Sequence, residues 1–267
     1  MNHKRHHRGR RKKKKGSLAS GLIFVIAVFV FCVSAFQLFK IMKGYYDGRS
    51  EYDKIRKLAV TESDNGDSED DFRVDFEELL KINPDTIGWI RFTPEPSEIS
   101  YPIVQGDDNE TYLKKTFSEN ENTLGAIFLN AGNQADFTDR NSIIYGHRMK
   151  DGSMFRHLQD YENKEFWEAN PCFYIYTPDG RRITYRIFSV GQVEDTSDTY
   201  LTSFASEEDY LAFLDMTRQT ALYDTGVEVT TEDTIITLST CTSASDNHRF
   251  VVRGVKEEEC VPDYDEE

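Results

Sequence analysis

The sequence predicts a mainly β domain with added helices: a small closed barrel of about eight strands, preceded by one membrane-spanning helix. Three observations predict it. From residue 87 onward, short segments rich in β-branched and aromatic residues alternate with turn formers. A single well-capped helix interrupts that series, which argues against the regular βα alternation of a parallel sheet. Ahead of the strands, a long uncharged apolar run follows a cluster of basic residues. With 267 residues and 38% hydrophobic content, the chain suffices for one cored domain plus extra segments.

The N-terminal tail, residues 1–17, is basic, with Lys12-Lys13-Lys14-Lys15 next to the apolar run. No residue from Gly16 to Phe39 is charged, and those 24 residues would make roughly 36 Å of helix, enough to cross a hydrocarbon core of about 30 Å. A transmembrane anchor is therefore expected over 18–39, and the basic excess before it places the N-terminus in the cytoplasm and the rest outside. A cleaved signal peptide ending at Val33-Ser34-Ala35 fits less well, because its apolar region usually spans about 7–15 residues. Residues 40–71, ending in the acidic run Thr61–Asp71, offer little to bury and are expected to form a polar stalk.

A folded domain is expected over 72–256. Val74–Ile82 has helical spacing of its apolar residues and stops at Asn83-Pro84. Strands are expected at 87–92, 101–104, 126–129, 142–145, 172–176, 182–193, 234–239 and 249–255. Between two of them, Thr177-Pro178-Asp179-Gly180 is a hairpin signal. Ser206-Glu207-Glu208-Asp209 opens the inserted helix, with Tyr210, Phe213, Leu214 and Thr217 on one face, and the segment extends to Tyr223. Residues 257–267 read as an acidic tail.

Residues 1–20 carry nine of the 32 Lys and Arg and no acid, so the remainder holds 23 basic against 47 acidic residues. That balance excludes nucleic-acid binding by the folded part. The four cysteines form neither a C-x-x-C motif nor a closely spaced framework, which argues against a disulfide scaffold or a zinc site. Cys32 lies in the apolar run and Cys260 in the tail, leaving Cys172 and Cys241 for chemistry; Cys172 suits a packed strand residue.

In the strand ending at Cys241, alternation puts Ile236, Leu238 and Thr240 on one face and Ile235, Thr237, Ser239 and Cys241 on the other, more polar and accessible one. In the next strand Phe250 and Val252 point inward, and Arg249 and Arg253 outward. If the two strands form a hairpin around the loop Thr242–His248, Cys241 and Arg249 share one surface. Spacing alone favours reading Cys241 as a small packed hydrophobe, as most free cysteines are, over a nucleophile. A thiol with an ordinary pKa of about 8.5 needs a partner for its proton, and His147, His157 and His248 are all available.

Asn141-Ser142-Ile143-Ile144-Tyr145-Gly146-His147-Arg148-Met149, then Met154-Phe155 and Leu158, with Thr237-Leu238-Ser239-Thr240-Cys241 and Arg249-Phe250-Val251-Val252, resembles class B sortase. The likeness covers about Ile82 to Val255. Its specificity lies in motif order, in the 94 residues between His147 and Cys241, and in an Arg eight residues beyond the Cys. It implies an eight-stranded sortase barrel with N-terminal helices, on a membrane-anchored cysteine transpeptidase of the Gram-positive cell surface. By matched position Cys241 would be the nucleophile, His147 the dyad histidine and Arg249 the third catalytic residue. Tyr145, Ser239 and Thr240 become substrate-binding candidates. The loop Thr242–Asn247 lacks the acidic or aromatic residue that many class B members carry after this motif, which implies a different peptide preference.

The implied substrates are secreted proteins with a C-terminal sorting signal, cleaved after Thr through a Cys thioester. The acyl group would pass to an amine of the cell wall or of a pilin lysine. No metal or organic cofactor is needed for that exchange. The competing readings are a thiol hydrolase using the same residues and a non-catalytic surface-binding module.

Overall fold

The computed structural model describes residues 16–61, 72–242 and 247–262, with side chains from Ser20 onward. The basic tail up to Lys15, the acidic run 62–71, most of the loop after Thr242 (243–246) and residues 263–267 lie outside them. The chain divides into two compact units, Met1–Lys43 and Gly44–Glu267.

A long helix, α1 (Gly16–Ala59), begins in the first unit. There its large apolar side chains, Leu22, Phe24, Phe29 and Phe31 among them, are all exposed. Among the described residues it is the one helix long and apolar enough to cross a membrane.

The polar stalk expected over 40–71 is corrected for its first part, because α1 continues as far as Ala59. Within the second unit Gly48, Tyr52, Ile55 and Ala59 are buried, at spacings of four, three and four residues that form one helical face. Tyr52, Ile55 and Ala59 belong to the main core. Charged residues on the other faces give this segment its polar composition; it is a half-buried amphipathic helix. A two-stranded ribbon of β1 (Val60–Thr61) and β2 (Arg73–Val74) follows. Next comes α2 (Phe76–Ile82), whose N-cap Asp75 accepts the Glu78 N–H.

The barrel strands are β3 (Thr86–Phe92), β4 (Ser100–Val104), β5 (Ile127–Leu129), β6 (Asn141–Tyr145), β7 (Cys172–Tyr176), β8 (Arg182–Glu194), β9 (Ile235–Cys241) and β10 (His248–Cys260). All eight lie where the sequence places them, to within a few residues. Among the described residues they close in the order β10-β8-β7-β3-β4-β5-β6-β9, with β9 returning to β10. The β4–β5 and β6–β9 pairs are parallel. The Thr177–Gly180 turn joins β7 to β8, with Gly180 at φ +86. The expected acidic tail starts later than residue 257: β10 runs on to Cys260, and Glu257 accepts Arg186 Nε at 2.6 Å.

Ile236, Leu238, Phe250 and Val252 enter the main core, as their alternation predicts. The outer face of β9 is not the accessible surface expected. Helix α3 (Lys164–Ala169) lies between β6 and β7 in the chain, and α4 (Glu207–Gln219) between β8 and β9. The N-cap of α4 is Ser206, and Tyr210, Phe213 and Leu214 of that helix pack with Phe188, Ile235 and Val255 in a second core. Thr237 and Arg253 are fully buried and Ser239 nearly so.

Asn141 ties this cover to the barrel. Its Oδ1 accepts the Thr237 hydroxyl at 2.8 Å, and its Nδ2 donates to the carbonyls of Thr199 (3.1 Å) and Leu201 (2.8 Å). Asn141→Ala should strand three buried polar groups and lower unfolding free energy by about 3 kcal/mol, read from denaturant midpoints. A loss below about 1 kcal/mol would show that these groups find other partners.

Candidate active site

Three neighbouring strands end or begin at one rim of the barrel. Parallel strands β6 and β9 are in register through Tyr145 and Ser239, and the Gly146 N–H donates to the Ser239 carbonyl at 3.2 Å. His147 lies two residues beyond Tyr145 and Cys241 two beyond Ser239, so both continue the outer-face alternation at the same end. Across the antiparallel β9–β10 pair, Cys241 directly opposes Arg249, which places their Cα atoms about 5 Å apart. The Cys241 side chain is exposed and those of His147 and Arg249 are half-buried. A thiol, an imidazole and a guanidinium thus share one rim.

The histidine is held on several sides. Its Nε2 lies 2.7 Å from the Leu113 carbonyl, which can only accept, so Nε2 carries a proton and Nδ1 is the acceptor in the neutral ring. Leu113 closes a 3-10 turn, Thr111–Leu113. Gly125, at φ +61, backs the ring: a Cβ there would lie 2.9 Å from His147 Cδ2 and 2.6 Å from the Tyr112 carbonyl. Only glycine suits both the backbone angle and the space. The glycine of the Tyr-Gly-His motif has a similar reason, since a Cβ on Gly146 would approach Ile127 Cδ1 to 2.5 Å.

The Arg249 guanidinium is held by Asp195 Oδ2 at 3.4 Å and donates to the His248 carbonyl at 3.1 Å. A second cation, Arg148, has its pKa lowered by partial burial and by the nearby Arg156, with Glu162 and Cys241 acting weakly the other way. Arg148 Nε donates to Gln159 at 2.9 Å.

Beside the rim, Tyr200 lies over β9. Its hydroxyl shares a 3.0 Å hydrogen bond with Ser239 Oγ, and its ring stacks on Tyr145 at 6.1 Å between centroids. Asn130 Nδ2 donates to the Tyr145 hydroxyl at 3.0 Å. Burial raises both phenols above their ordinary pKa, so they remain neutral hydrogen-bonding groups. Beneath them Arg253 donates to Ser189 Oγ (3.0 Å) and Thr199 Oγ1 (2.9 Å), its pKa pulled down to about 10 by burial.

A family model described as the sortase domain matches residues 94–257. The chain belongs to the sortase family. It is 39% identical over 202 residues to sortase B of Listeria monocytogenes, covering 74% of this chain and 78% of that relative. With sortase B of Staphylococcus aureus it shares 31% identity over 228 residues, 84% of this chain and 88% of the other. The solved structure of a Staphylococcus aureus sortase B–substrate complex superposes with a TM-score of 0.64 at 32% identity, covering 68% of this chain and 84% of that one. The chain is accordingly a class B sortase in fold and a cysteine transpeptidase in activity, not a binding module.

Within this sortase the site residues expected from the sequence divide into two groups. Cys241, Arg249, His147, Tyr145 and Ser239 lie on or beside one outer-face surface, although Ser239 is covered by Tyr200. Thr240 requires correction as a binding candidate. Its side chain is 2% exposed and opposes Phe250 on the inner face, so its hydroxyl is shut off from a peptide outside. His157 is bound by Asp160 Oδ2 at 2.7 Å within the 3-10 helix Arg156–Glu162, and His248 starts β10 opposite Glu194. Cys172 is half-buried in β7, with Sγ 3.9 Å from Glu257 Oε2. The Leu113 carbonyl, Gly125, Asp195, Arg148 and Tyr200 were missed. The backbone groups have no side-chain signature, Asp195 and Tyr200 lie in loops without a motif, and Arg148 enters the sequence reading only as the neighbour of His147, without a role of its own.

Proposed function

We propose that this sortase cleaves a C-terminal sorting motif of secreted proteins after Thr and passes the acyl group to an amine. The observation carrying this reading is the direct cross-strand pairing of Cys241 with Arg249, with His147 two residues beyond the parallel Tyr145–Ser239 pair at the same end of the barrel. Cys241 as thiolate attacks the carbonyl carbon of the Thr residue, and the carbonyl oxygen becomes an oxyanion. Arg249 supplies permanently charged donors to that oxygen. Its link to Asp195 is partly solvated and therefore weak, so shifting the guanidinium toward an oxyanion costs little. His147, carrying on Nδ1 the proton taken from the Cys241 thiol, gives it to the leaving amine as the C–N bond breaks, and a thioester remains on Cys241. An acceptor amine then attacks the thioester, gives its proton to His147 and leaves as the new amide. Tyr145, with Ser239 beneath Tyr200, borders the surface along which the peptide lies.

The acceptor is an amine of the cell wall or of a pilin lysine. The apolar run of α1 anchors the enzyme with its N-terminus cytoplasmic and its catalytic domain outside, where the anchor raises the effective concentration of membrane-held substrates. Incubating the enzyme with a sorting-signal peptide, with and without a diamino acceptor, tests the transfer step. A ligated product that grows with acceptor concentration is expected. Cleavage at a constant rate with no ligated product would make the protein a hydrolase.

A further inference from the structure

The segment Gly44–Ala59, which composition assigns to a stalk, reaches the surroundings of the candidate catalytic histidine. Tyr52 is buried, and its hydroxyl does two things: it accepts the Phe117 N–H at 3.2 Å and donates to the Gly125 carbonyl at 2.7 Å. Burial raises this phenol well above its ordinary pKa, so the donor stays protonated. Gly125 is the residue that backs the His147 ring, and the Ala126 N–H donates to the Tyr112 carbonyl at 2.9 Å. The strand-like stretch behind the ring is thereby joined to the turn whose last carbonyl, that of Leu113, accepts His147 Nε2–H.

A second route starts from the same ring. Tyr52 packs edge-on against Tyr101 at 5.4 Å between centroids, and the Tyr101 hydroxyl accepts the Met154 N–H at 3.0 Å. The next residue, Phe155, donates its N–H to the His147 carbonyl at 2.9 Å. Glu51 supports the first route from the exposed edge, accepting the Ser118 N–H at 3.0 Å and Asn120 Nδ2 at 3.1 Å.

We propose that Tyr52 is a positioning residue for His147: its hydroxyl fixes the Phe117–Gly125 loop, which backs the imidazole at Gly125 and, through Ala126, steadies the Thr111–Leu113 turn, so that Nε2 stays on the Leu113 carbonyl and Nδ1 available to the thiol. The proposal rests on the reading of His147 as the acid–base group. It gives the helix preceding the barrel a part in the chemistry, through a single hydroxyl.

The test uses the full-length protein in detergent, comparing wild type with Tyr52→Phe, Glu51→Ala and His147→Ala. Tyr52→Phe keeps the ring and its contact with Tyr101 and removes only the hydroxyl. The expected result is a fall in kcat of about tenfold with KM unchanged within about twofold, the pattern of a displaced catalytic group. The ¹⁵N resonances of His147, assigned by their loss in His147→Ala, should shift away from those of an Nε2-protonated ring. Glu51→Ala should lower kcat by about twofold in the same way, and it carries the test if Tyr52→Phe does not fold. Unchanged kcat and unchanged His147 resonances in folded Tyr52→Phe would overturn the proposal. So would a loss of activity that follows melting temperature alone while those resonances stay put. Full activity in His147→Ala would instead overturn the assignment of the histidine, and the resonances would still report whether Tyr52 orders the ring.

Discussion

Cys241→Ala is expected to lower both peptide cleavage and ligation by about 10⁵-fold or more, because no remaining group can form the covalent intermediate. The exposed side chain at the end of β9 makes few packing contacts, so the variant should melt within about 2 °C of wild type. Stability and activity are then cleanly separated. Cys241→Ser should retain little more activity: a hydroxyl is far less ionised than a thiol at neutral pH, and His147 sits where it serves a thiolate. Intact-mass measurement checks the mechanism. Wild type incubated with a sorting-signal peptide and no acceptor should gain the mass of the acyl fragment, and Cys241→Ala should not. Cys172→Ala should keep the adduct, because that thiol is half-buried in β7 and paired across the sheet with Arg186 rather than with a residue of the rim. An adduct that persists in Cys241→Ala would move the nucleophile elsewhere.

What the sequence discloses about this site depends on how local the determining pattern is. The Cys241–Arg249 pair is local: strand alternation fixes which side chains share a face, and a short connecting loop makes the strands neighbours. The opposition of these two residues in the β9–β10 register follows from that. His147 is another matter. The parallel pairing of β6 with β9 joins residues some 94 positions apart, Ser142 with Ile236 for example, and nothing local encodes it. Residue chemistry left His147, His157 and His248 open, and the family resemblance alone singled out the first.

Two errors have a common origin. Thr237, Ser239 and Arg253 looked solvent-facing because they are polar and outward, yet α4 and the turn around Tyr200 cover them, and they bond to Asn141 on β6, to Tyr200, and to Ser189 on β8 with Thr199, respectively. Likewise the buried face of α1 past Lys43 consists of a glycine, a tyrosine, an isoleucine and an alanine among seven charged residues and a serine. Such a face has the helical period but little apolar mass, and burial there depends on the partner surface, which the segment itself does not encode.

His147→Ala should reduce kcat/KM on a peptide substrate by about 10³-fold, the middle of the range for a lost general acid–base group. The geometry says which proton is missing. With Nε2–H committed to the Leu113 carbonyl at 2.7 Å, that proton is a structural one, and transfer to the leaving amine runs through Nδ1. An amine cannot depart from a tetrahedral intermediate as an anion, so amide cleavage needs this proton, whereas an activated ester releases a leaving group that is stable without one. The same Thr residue presented as a p-nitrophenyl ester should therefore lose no more than about tenfold in His147→Ala, against the thousandfold for the peptide. Measuring both substrates on both proteins separates two roles. A ratio near one hundred between the losses marks His147 as the acid that protonates the leaving group. Equal losses on ester and peptide would mean that the imidazole acts before the tetrahedral intermediate, by generating the Cys241 thiolate, and the proton assigned here to amine departure would have to come from another group at the rim.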